Sequence, residues 1–258
     1  MHSLTRALKY IFLLSTCVWV GLFFYVPPLP DAAHILPDVL GQEPTQEAVT
    51  DGPVNVSMDE YRYTLMPRYR YELWGLVVSL YDSSSWFDFA HRNDPGNVKD
   101  ICVVWGENIA NGSYKKVTFS SGEFTCFWRW EREVAPPFKN AYGANNHLVP
   151  KNAALARRIK DVAIGDQVHV TGYLADYEVH TKEGEKLYTR STSITRDDTG
   201  NGACEVVYVT DIEILKKANR WPQTAKPIAF WTVLGSLILA LRLRLSAPLY
   251  IPSAMRRT

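Results

Sequence analysis

"IGDQVHVTGYL", residues 164–174, decides how the middle of this chain is read. Gly165-Asp166 is a turn signal. Behind it, Val168, Val170, Gly172 and Leu174 alternate with His169, Thr171 and Tyr173, the period of two expected of a half-buried strand. Immediately upstream, "NAALARRIKDV" (152–162) sets Leu155, Ile159 and Val162 at i, i+4 and i+7, with Asn152 in the N-cap position, and predicts a helix. Downstream, "EVVYVTDIEIL" (205–215) is apolar on two sides and predicts the last strand. Further back, "YRYELWGLVVSLYD" (69–82), "DICVVWG" (100–106) and "YKKVTFSSGEFTCFWRW" (114–130) are dense in aromatic and β-branched residues and read as earlier strands. Gly75 suggests a bend or bulge in the first, and Ser121-Gly122 a hairpin break in the third.

The resulting order is three strands, one helix, two strands. That order, with "IGDQVHVTGYL" placing a Gly-Asp turn at the entrance to the fourth strand, resembles an OB-fold over residues 69–215. The resemblance implies a mainly β domain: a five-stranded Greek-key barrel with one helix between strands three and four. It also implies that the loop after strand one and the loop between strands four and five flank one ligand face. Here those loops are long. The first (83–97) carries Trp86, His91 and Arg92, and the second (178–203) carries Arg190, Arg196, Asp197 and Asp198 behind a small hairpin near Lys182 to Lys186. The chain also resembles an uncharacterised family of small bacterial inner-membrane proteins, a likeness that implies an address and no activity.

The two ends carry the membrane signal. "YIFLLSTCVWVGLFFYV" (10–26) has no charge and follows Arg6 and Lys9. At about 1.5 Å per residue it makes roughly 25 Å of helix, enough to cross a hydrocarbon core with its flanks snorkelling. It exceeds the apolar run of a cleaved leader, and no clear A-x-A site follows it. A second run, "PIAFWTVLGSLILAL" (227–241), is closed by Arg242 and Arg244. All 27 acidic residues lie between Asp31 and Lys226, whereas Arg6, Lys9, Arg242, Arg244, Arg256 and Arg257 lie outside with no acid beside them. The positive-inside rule then predicts two spans with both termini cytoplasmic and an acidic central domain in the periplasm of a bacterial inner membrane. The expected layout is a cytoplasmic start (1–9), a first span (10–26), an extended proline-rich linker (27–60), the OB-like domain (61–220), a second span (221–245) and a cytoplasmic tail (246–258).

The chemistry-bearing residues gather in "RSTSITRDDTGNGACE" (190–205). Arg190 and Arg196 offer guanidinium forks to an anionic or polar ligand. The competing reading is a self-satisfied turn in which Asp197 and Asp198 accept backbone and arginine hydrogen bonds, with Gly200 and Gly202 supplying permissive dihedrals. Cys204 reads as a thiol nucleophile paired with His147 or His169, or as one half of a disulfide with Cys126 or Cys102; the expected bond is Cys126–Cys204. Cys17, inside the first span, reads as a small apolar residue. His147, just ahead of the helix, is a candidate site residue or a loop-fixing one.

No cofactor is expected, because the chain lacks a Gly-rich phosphate loop, G-x-S-x-G, H-E-x-x-H, CxxC and EF-hand spacing. The net-acidic central segment argues against nucleic acid despite eight tryptophans. Trp74, Trp105, Trp128 and Trp130 are assigned instead to the barrel or its covering layer. The function expected is a membrane-anchored periplasmic binding module that recognises an envelope protein or a small polar or anionic ligand through the two loops. The alternative is an OB-fold hydrolase or nuclease using the arginines and carboxylates of 190–205.

Overall fold

The structure is a computed structural model that describes residues 2–25, 27–58, 60–83, 94–130, 135–196, 198, 200 and 203–245. Along the chain the elements are α1 (His2–Phe24), α2 (Pro37–Gly41), β1 (Thr45–Ala48), β2 (Val54–Met58), β3 (Tyr61–Tyr81), β4 (Lys99–Val104), α3 (Gly106–Ala110), β5 (Thr118–Gly122) and β6 (Thr125–Arg129). They continue with β7 (Gly143–Pro150), α4 (Ala153–Asp161), β8 (Gln167–Thr181), β9 (Lys186–Arg190), β10 (Glu205–Lys216) and α5 (Trp221–Leu245). Residues 28–218 form one compact unit, and the two terminal helices form a second.

The long strand β3 organises the β unit. One of its edges pairs antiparallel with β8 from Tyr61 opposite Thr181 to Leu76 opposite Gln167. The other edge is taken in turn by β2 (opposite residues 61–65), β1 (opposite 69–72) and β4 (opposite 76–81), and Val49 N donates to Arg68 O between β2 and β1. A long strand is thereby paired along almost all of both edges, where an open edge would invite other chains. From β4 the pairings run to β7, to β10, to β8 and back to β3. The β7–β10 pair is parallel and the others are antiparallel.

Alternation sorts the side chains into cores. Tyr71, Leu73, Ile101, Val103, Leu148, Val168, Val170, Leu174, Val207 and Val209 form one buried cluster, which α4 joins with Leu155, Ile159 and Val162 at the helical spacing read from the sequence. Asn152 caps α4, its Oδ1 accepting from Leu155 N at 3.0 Å. The far end of the helix is closed by Lys99, a buried lysine whose Nζ donates to Lys160 O (2.6 Å) and Val162 O (3.0 Å), where the helix dipole favours a cation. Gly172 lies where β8 runs against β10: a Cβ there would overlap the Tyr208 carbonyl oxygen. The register shift in β10 between Val209 and Asp211 falls beside this contact.

Three expectations change. Within the segment 27–60, expected as an extended linker, residues 28–58 belong to the β unit and pack on it: Ile35 and Val39 are buried with Leu76, Val104 and Phe138, and Gln167 accepts from Leu36 N while donating to His34 O. Sparse apolar residues sufficed because the β unit offers both a groove and free strand edges. The disulfide is Cys102–Cys126, with Cα atoms 6.0 Å apart, and not Cys126–Cys204. The β5–β6 hairpin folds back over β4, which brings Cys126 onto Cys102 and leaves Cys204 beside β7 as a free thiol. The stretch 114–130, expected as the third strand of the barrel, instead forms a two-stranded sheet of its own that turns at Glu123-Phe124, and the strand before α4 in the main sheet is β7.

Two helices are long and apolar enough to cross a membrane: Arg6–Phe24, with mean hydropathy 1.8, and Thr224–Leu243, with mean hydropathy 1.5. At 19 and 20 residues each reaches roughly 30 Å. They pack on one another through Trp19 on Phe230 and Tyr25 on Trp221.

Candidate thiol site

Three neighbouring strands place three side chains in a row. In the β4–β7 pair, Asp100 lies opposite His147. In the parallel β7–β10 pair, Asn146 lies opposite Glu205, which brings Cys204, one residue earlier, beside Asn145. Alternation decides the faces: Ile101, Ala144, Leu148 and Val207 go to the main core, so Asp100, Asn145, His147 and Cys204 go to the other side. The tip of the β5–β6 hairpin hangs over them, with Phe124 in the left-handed region at φ 55°.

The contacts form a chain. His147 Nδ1 lies 2.7 Å from Asp100 Oδ1, and Asn97 Nδ2 donates to the same oxygen at 2.7 Å. Cys204 neighbours His147 in the same cleft, close enough to favour the protonated imidazole. Asn145 Nδ2 donates to Cys204 Sγ at 3.4 Å, and Sγ reaches Phe124 O at 3.7 Å. The Phe124 ring meets His147 edge-on and takes the Arg190 guanidinium over its face, 3.8 Å from the ring centroid. Asp100 and His147 are buried, whereas Cys204 is part-exposed in a cleft of about 790 Å³ also lined by Phe124, Asn145, His147, Arg190 and Asp198.

Two buried groups titrate away from their ordinary values. Burial, the largest single influence on His147, works to lower it, but the hydrogen bond to Asp100 and the influence of Cys204 and of the Asp100 charge together outweigh burial and push the imidazole up to about 9. On the core side of the same row, burial pushes Glu205 up to about 8 against the opposing pull of Arg196.

The candidates from the sequence separate. His147 and Arg190 line the cleft. Asp198 also lines it and accepts from Ser193 Oγ at 2.6 Å. Arg196 turns elsewhere: Nη2 donates to Pro44 O (3.2 Å) and Gln46 Oε1 (3.1 Å), and its guanidinium stands 5.6 Å from the Tyr71 ring and 5.8 Å from that of Trp105. His169, the other candidate base, contacts Glu72 Oε1 at 2.7 Å and stacks on Trp74. Trp86, His91, Arg92 and Asp197 lie outside the described residues. Among the described residues no group of three or more His, Cys, Asp or Glu side chains is placed to hold a metal ion. Asp100 and Asn145 were not singled out from the sequence, because only the strand register carries them to His147 and Cys204.

Compared with known proteins, the chain matches no family model, no curated protein and no solved structure.

Proposed function

We propose that the chain is a membrane-anchored cysteine-dependent acyl hydrolase or acyltransferase, displayed on an OB-type barrel in the bacterial periplasm. The observation that carries the reading is the row Asp100–His147–Cys204 opening on a cleft. The barrel reading is supported by the return of the strand pairings to β3, by the parallel β7–β10 pair and by α4 standing between β7 and β8. The address is supported by the two apolar helices and by the basic residues at both ends.

In this mechanism Cys204 Sγ attacks an acyl carbon, the leaving group departs with the bonding pair, and a thioester remains until water or an acceptor takes the acyl group. Asp100 holds the His147 ring, and Asn145 Nδ2 is the side-chain donor beside the sulfur. A histidine that carries a proton at neutral pH serves as the counter-charge a cysteine nucleophile uses and as the acid for the leaving group.

A second reading, a recognition module without chemistry for an envelope protein or a small polar ligand, is favoured by the contacts Sγ already makes to Asn145 and Phe124. The full chain carrying Cys17→Ser, purified in detergent and incubated with small thioesters and activated esters, separates the two. An acyl adduct seen by intact mass, lost in Cys204→Ala and His147→Gln, supports the enzyme. Absence of any adduct, or hydrolysis that persists in Cys204→Ala, overturns it in favour of recognition.

A further inference from the structure

We infer that the molecule handled at Cys204 carries an anionic group of carboxylate size, and that Arg190 is the residue that holds it. This rests on the thiol reading above and adds the class of substrate to it.

Arg190 closes β9, opposite Tyr177 of β8, and projects into the cleft that Cys204 and His147 line. Its guanidinium sits over the face of Phe124, 3.8 Å from the ring centroid, the same ring that meets His147 edge-on. Stacking on a ring removes water from one face of the guanidinium and leaves its in-plane N–H groups available, the geometry in which arginine binds a carboxylate. Among the described residues Arg190 makes no ion pair, and its buried Nε has no hydrogen-bond partner. Two acids share the cleft lining, Glu123 and Asp198, and neither is paired with Arg190; Asp198 is engaged by Ser193. Arg196 and Arg158, by contrast, are bonded to Gln46 and to Asp211. A guanidinium fork that makes no ion pair among the described residues, set in the lining of a thiol cleft, is placed to take an anionic group of a ligand.

Iodoacetate and iodoacetamide test this, since they are nearly isosteric and differ in charge. With either reagent the Sγ–C bond forms as C–I breaks, iodide leaves with the bonding pair and the thiol proton goes to the buffer. In the full chain carrying Cys17→Ser, the ratio of iodoacetate to iodoacetamide alkylation rates at Cys204 is expected to fall about fivefold or more in Arg190→Met, with Arg190→Lys between. His147 also attracts anions, so the comparison is made with His147 intact. A companion measurement needs no Arg190 variant: acetate should slow iodoacetamide alkylation at concentrations where acetamide does not. A ratio unchanged in Arg190→Met, or equal protection by acetate and acetamide, overturns the assignment to Arg190 while leaving a reactive thiol in place. Alkylation no faster than that of glutathione, and unaffected by His147→Gln, removes the thiol reading and this inference with it.

Discussion

Asp100 and His147 face one another across β4 and β7, and both are buried, so their protonation is tied to folding. His147 is held at about 9 in the fold against an ordinary 6.5. Its contribution, on the order of 3 kcal/mol, is fully present below about 6.5 and is lost as pH rises through 9. Glu205, raised to about 8 from an ordinary 4.5, acts in the same direction: burying its charge costs progressively more as pH climbs from 4.5 to 8. Urea midpoints of the full chain in detergent should therefore fall between pH 5 and pH 9. His147→Gln should flatten the part of that decline between 6.5 and 9, and Glu205→Gln the part between 4.5 and 8. Midpoints that rise with pH would contradict both assignments. His147 could be singled out from the sequence as a candidate, but its partner could not: Asp100 lies 47 residues away and meets it only through register.

At the scale of elements, the β5–β6 hairpin roofs the site, and the Cys102–Cys126 bond ties it to β4. Closing a loop of 24 residues is worth about 3 kcal/mol. The double variant Cys102→Ala, Cys126→Ala should lose about that much in urea denaturation. It should also alter Cys204 alkylation, since Phe124 rides on the hairpin. If stability falls with no change at Cys204, the hairpin does not shape the site. Helix α4 depends on Lys99 for its last carbonyls, so Lys99→Met should cost about 2–3 kcal/mol through the lost charge-assisted hydrogen bonds, read as a lower urea midpoint. Gly172→Ala should cost more, because the Cβ meets backbone with no side chain to move aside.

For the whole molecule the charge division sets the proposed topology. Both apolar helices end in basic residues, and the acidic residues all belong to the segment between them. In the proposed topology a membrane-impermeant maleimide added to intact spheroplasts should label Cys204 in a Cys17→Ser background, without lysis. Labelling only after lysis would place the β unit in the cytoplasm and reverse the orientation. Removal of either helix alone should leave the chain resistant to carbonate extraction, because one span of about 20 residues is sufficient to hold it.

Local chemistry was legible in the sequence where a local period or cap carries it. The alternation of 164–174, the cap and stripe of α4, the apolar runs and the charge division all act within a few residues, so their pattern survives in one dimension. The site did not, because it is made by pairing. Cys204 and His147 were visible as reactive types, but Asp100 and Asn145 become partners only when β4, β7 and β10 align and the hairpin closes over them. The disulfide, the docking of 28–58 and the turning of Arg196 towards Gln46 were likewise decided by which surfaces came together on folding. Composition states which groups are available, and long-range strand register chooses which of them meet.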